Sequence, residues 1–173
     1  MLNHQKPMFS EDGENRPLLT EEELGDECLH AAATIVVAFV LGCEFVDCRL
    51  NDDGYKWPTS VSRIQLMSGD DWSPEESFAA YAAIHEAGSM AVAKRHGRGH
   101  HLIRLGYGQH HFGTPKLLDD PKVWKAIEAL AQFIRDNYEG KGCYGALGTA
   151  SPGGDSPALR LIKSMDLPSL TFA

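Results

Sequence analysis

Residues 31–41 read Ala-Ala-Ala-Thr-Ile-Val-Val-Ala-Phe-Val-Leu, without a single charge. A segment that is apolar all round must be enclosed on every side, so the rest of the chain has to be arranged about it. Upstream, Thr20 followed by Glu23 has the spacing of a capping box, in which side chain and backbone satisfy each other's free N–H groups. Downstream, Gly42 offers the left-handed residue on which helices commonly end. The pattern predicts a central helix over 20–41. Its β-branched content also suits a strand, but the cap and the glycine favour helix. The wider apolar stretch, 28–43, contains His30 and is shorter than the roughly 20 residues that cross a bilayer.

The remaining punctuation is equally local. Two short runs of mixed alternation, 44–50 and 61–67, are separated by Asn51-Asp52-Asp53-Gly54 and Pro58, and predict a hairpin or two edge strands. Ser73-Pro74-Glu75-Glu76 is a second capping box with proline at the first helical position, opening a helix that reaches His96 and stops at Gly97. A short strand over 101–105 and a loop rich in Gly and His follow. Asp120-Pro121 begins a third helix, with Val123, Ile127, Leu130 and Ile134 on one stripe, and Ser156-Pro157 a last short one. The expected class is α+β, mostly α-helical, with a small sheet. Residues 1–19 are polar and predict a loose tail, leaving 20–173 as one globular domain.

Composition narrows the setting. Among 173 residues, 16 Lys and Arg face 24 Asp and Glu, a formal net charge of −8. Duplex nucleic acid is bound by cations that replace counterions, so this balance argues against such a partner. The first residues have no apolar core of a secretory signal. Cys28, Cys43, Cys48 and Cys143 have no zinc-knuckle spacing and read as reduced core thiols, which places the chain in the cytoplasm.

Histidine carries the chemistry of this sequence. His85, His96, His100, His101, His110 and His111 fall within 27 residues, and those around the expected strand could converge on a metal. The alternative is a solvated loop, because no His-x-His pair occurs. In the same window Lys94, Arg95, Arg98 and Arg104 have no acidic neighbour from Ala87 to Leu118. That patch suits an anion or an acidic surface, or it is the ordinary cationic end of a helix. On the second helix, Phe78, Ala82, His85, Ser89, Val92 and His96 share a stripe, which would make His85 a core histidine. Residues 30–50 and 85–105 also align without gaps at an offset of 55, with seven of 21 positions identical, so a duplication is one reading. Gly140-Lys141-Gly142-Cys143-Tyr144-Gly145 spells GxGxxG after a helix, and so lacks the strand–turn–helix setting of a dinucleotide site.

Ala82-Ala83-Ile84-His85-Glu86-Ala87-Gly88-Ser89 resembles the zinc helix of the peptidase domain in FtsH-like membrane AAA proteases and their small stand-alone relatives. In that family two histidines one turn apart hold zinc, and the glutamate between them takes a proton from the metal-bound water. Here Ser89 stands where the second histidine would be. A second register resembles the same helix over Leu29–Gly42, with His30 kept, Ala31 for the glutamate and Thr34 for the second histidine. In that register Trp124-Lys125-Ala126-Ile127-Glu128-Ala129-Leu130-Ala131 resembles a late helix of the small relatives. Residues 97–118 contain no Asp or Glu to supply the family's acidic third ligand, and there is no Walker A sequence.

The resemblance implies a zincin-like metallopeptidase-type domain whose site has decayed, a pseudoenzyme acting by binding or regulating a protein partner. An active zinc metallohydrolase is the alternative, with Glu86 as general base and His85, His100, His101, His110 or His111 as ligands. A metal or anion sensor built on the His-rich basic loop is a third reading. Zinc is the cofactor implied; no nucleic acid and no membrane are expected, and assembly with a second copy is left open.

Overall fold

A computed structural model describes residues 20–42, 47–50, 59–63, 73–98, 114–136 and 157–168. Within these residues, α1 spans Glu21–Val40, β1 Asp47–Leu50, β2 Thr59–Arg63, α2 Pro74–Arg95, α3 Thr114–Asp119, α4 Pro121–Asp136 and α5 Pro157–Lys163.

Both long helices start where their side chains dictate. The Glu23 amide donates to Thr20 Oγ1 at 3.2 Å while the Thr20 amide donates to Glu23 Oε2 at 2.8 Å. Ser73 and Glu76 repeat this exchange at 3.2 and 2.6 Å, with Pro74 in the first turn where its missing N–H costs nothing. The stops are matched too, for Gly42 and Gly97 take φ of +74° and +64°, values that an L side chain rarely adopts. α4 is begun by Asp120, whose Oδ1 accepts from the amides of Lys122 at 2.8 Å and Val123 at 3.3 Å.

α1 is the centre of the body, with residues 31–38, Val40 and Leu41 all buried. α2 packs along one side of it and α4 along another, while β2 lies beside it, α3 bridges α2 and α4, and α5 closes on α4. The two partners bury different materials. From α4 come Val123, Ile127, Leu130 and Ile134; from α2 come mostly Ala79, Ala80, Ala83, Ala87, Gly88 and Ala91, with Ile84 and Met90. Thr34 is accommodated in this core because its hydroxyl donates to the His30 carbonyl one turn back, at 2.9 Å.

The expected α+β, zincin-like class is overturned, and with it the FtsH-like resemblance that carried it. A zincin-type domain needs a sheet against which its metal helix is laid. Here the central helix is enclosed by other helices, and strand pairing among the described residues is limited to one antiparallel two-stranded ladder, β1 with β2, irregular between Asp47 and Arg49. The local four-residue match on α2 has no bearing on what that helix packs against. β2 also begins earlier than the run over 61–67 suggested, and α3 arises where only loop was expected. The tail over 1–19 and the strand over 101–105 lie outside the described residues.

Candidate functional site

α2 carries the residues singled out by sequence, and it turns them to different sides. His85 is exposed, its ring 4.2 Å from that of Tyr81, whereas Glu86 is only 4% exposed and faces the interior. The two side chains thus differ in setting, one open to solvent and the other enclosed. Ser89 is half-buried. Among the described residues no three His, Cys, Asp or Glu side chains gather as a metal-holding group. The zinc-metallopeptidase reading, active or decayed, fails together with the fold it rests on, and the described residues supply no such metal group in its support. His100, His101, His110 and His111 lie outside the described residues.

The stripe that would have made His85 a core residue is the outer face of α2. Phe78 is 49% and Tyr81 46% exposed, and it is the small residues that point inward. Large side chains misled the phase because alanine and glycine form the buried face.

His30 meets α2 at its tightest point. A Cβ built on Gly88 would lie 2.6 Å from three atoms of the His30 ring, so the imidazole occupies the space that glycine leaves. Burial pushes the His30 pKa below the ordinary histidine value; Glu27 opposes the shift and His85 adds to it. His85 is lowered as well, by partial burial. Both imidazoles are thus favoured in the neutral form.

The cationic end of α2 is largely spoken for. Lys94 donates to the Leu118 carbonyl and to Asp119 Oδ1 at 2.9 Å, and its Nζ sits 4.6 Å from the centre of the Trp124 ring. His96 Nε2 pairs with Asp26 Oδ2 at 2.7 Å, and Arg95 approaches the other oxygen of Asp26 at 3.4 Å without a hydrogen bond. Of the expected basic patch, Arg104 lies outside the described residues.

Beside this end a groove of about 310 Å³ opens between α1, α2 and α4. Gly25, Cys28, Leu29 and Ala131 form its apolar parts, Trp124 an aromatic wall, and Arg95, Arg135, Glu128 and Gln132 its polar ones. A Cβ at Gly25 would stand 3.0 Å from the Arg95 guanidinium, so the end of that side chain lies against the glycine. Trp124 is held by its indole N–H, which donates to Glu128 Oε1 at 2.9 Å, and Arg135 pairs with Glu21 at the mouth. Cys28 is buried. Sequence reasoning missed this site because its parts come from three helices far apart in the chain, with no common spacing. Arg95, Cys28, Leu29, Trp124, Glu128 and Ala131 stand out in the sequence, but each for another reason.

No helix among the described residues is long and apolar enough to cross a membrane. Compared with known protein families, with characterised proteins and with solved structures, the chain matches none.

Proposed function

We propose that the chain is a non-catalytic ligand-binding domain whose α1–α2–α4 groove receives a small organic anion with a flat apolar part. The observation that supports this is the pairing of two guanidiniums, Arg95 and Arg135, with an indole wall and an apolar floor in one concavity. Guanidinium is the side chain best shaped for a carboxylate, and an aromatic wall favours a planar body beside it. A groove of about 310 Å³ is at the small end of the range that ligand sites occupy. The Arg135–Glu21 pair is exposed, so it holds the guanidinium weakly and a ligand can compete for it.

A panel of aromatic and aliphatic carboxylates, screened by thermal shift and followed by calorimetry, tests the reading. An aromatic carboxylate should raise the Tm of the native chain, and Ala131→Phe, which fills the groove, should abolish the gain. Arg135→Gln should weaken binding while leaving the unliganded Tm nearly unchanged. A panel without a single binder, or binding indifferent to Ala131→Phe, would sink the proposal.

A protein partner is the second reading, supported by Phe78 and Tyr81, two large apolar residues exposed on one face of α2. Phe78→Ser with Tyr81→Ser should then abolish association, whether with a second copy in light scattering or with a protein captured from the cytoplasm. A cytoplasmic setting belongs to this proposal too and is supported by the four cysteines, too few and too irregularly spaced for a disulfide framework.

A further inference from the structure

The two guanidiniums that line the groove are held in opposite ways. Arg95 rests its end against Gly25 and lies 3.4 Å from Asp26 Oδ1 without a hydrogen bond. Asp26 is itself fixed, its other oxygen paired with His96 Nε2 at 2.7 Å, so the charge that draws Arg95 to α1 stays in place. Among the described residues no group accepts a hydrogen bond from the Arg95 guanidinium, and its donors are left for a ligand. Arg135 is already occupied, for it donates to a carboxylate oxygen of Glu21. That partner is removable, since the Glu21 side chain is 82% exposed against 24% for Asp26. Glu21 and Gly25 lie one turn apart on α1, about 6 Å along its axis, so the two cations are served by successive turns of one helix.

We infer that the groove selects a planar dicarboxylate and that Glu21 sets the selection, which rests on the carboxylate site proposed above. One carboxylate takes the free donors of Arg95. The other replaces the Glu21 carboxylate on Arg135, like for like, and Glu21 turns out to water. Each guanidinium presents paired donors that match a carboxylate, and the flat body between the two ends lies along Trp124. Glu128, the remaining acid of the lining, is engaged by the indole N–H. A monocarboxylate on Arg95 has no second charge with which to displace Glu21, so Arg135 stays closed to it. Glu21 is thus an internal carboxylate that only a second anionic group replaces.

The test compares terephthalate with para-toluate, in which a methyl group replaces one carboxylate, by calorimetry on the full chain at one ionic strength. The diacid should bind about 10-fold more tightly, because it gains a charge-assisted pair at the loss of an exposed one. Arg135→Gln should bring the two affinities together, and Glu21→Gln should widen the gap by about 2- to 5-fold. Equal affinities in the native chain, a gap that survives Arg135→Gln, or a narrower gap in Glu21→Gln would each overturn the selection. Equal affinities that both vanish in Ala131→Phe would overturn it alone and leave the carboxylate groove standing. Binding of neither acid would overturn both.

Discussion

α1 meets its two neighbours on different terms. Against α4 it buries branched side chains, Ile127, Leu130 and Ile134, and the contact opens at one end into a groove. Against α2 it meets mostly alanine and glycine, so closely that an imidazole ring fills the place of a missing Cβ. The first contact gains its strength from apolar area, about 25 cal/mol for each Å² removed from water. The second gains little area per residue and instead brings backbones together, which places polar groups of both helices within reach of one another. One helix therefore has a side built for cohesion and a side built for proximity.

Four changes break or sharpen this contrast, beginning with the largest. Leu130→Ala removes a fully buried side chain from the cohesive side and should cost about 2–5 kcal/mol in urea unfolding. Gly88→Ala inserts a methyl into the His30 ring and should cost about 1–3 kcal/mol. If closeness is the cause, the double variant His30→Ala with Gly88→Ala should recover most of that loss, a coupling that Leu130→Ala would not show with either change. Ser73→Ala removes one half of a capping exchange at the start of α2, and about 1 kcal/mol is expected.

The smallest effect is in pH. His30 and His85 are harder to protonate in the folded chain than their ordinary value of 6.5, so below that value the unfolded chain binds more protons. Their share of stability is complete above pH 6.5 and declines as the pH falls through it towards the lowered folded values. Unfolding midpoints at pH 7.5 and 5.5 should differ less in His30→Ala than in the native chain. Equal differences would mean that the crossing accepts charge and is looser than described.

Local signals were readable and tertiary ones were not. Thr20 with Glu23, Ser73 with Glu76, and the stripe of Val123, Ile127, Leu130 and Ile134 each act within a few residues, and the helices formed where these lie. α3 has only six residues, too few for any period to show. The phase of α2 was misjudged because the stripe was drawn through the large side chain of Phe78, although alanine makes the contact. The His85–Glu86–Ala87–Gly88 match failed for a related reason: four residues specify a helix surface, not the sheet that would have to lie behind it. Gly88 is nevertheless explained, by a ring on another helix. Gly25, Arg95, Trp124 and Arg135 come from separate helices, and nothing in one stretch of sequence joins them.

Lys94 shows how narrow the tolerance at such a junction can be. Its single ammonium serves a carbonyl at the end of α3, the carboxylate of Asp119 and the face of Trp124 at once. A point charge with three donors directed around it can do this, whereas a guanidinium spreads its donors over a plane. Replacement by arginine would keep the charge and lose the fit, and acetylation would keep the length and lose the charge. The corner between α2, α3 and α4 is thus fastened by the shape of a cation, and it is open to release by chemistry on one nitrogen.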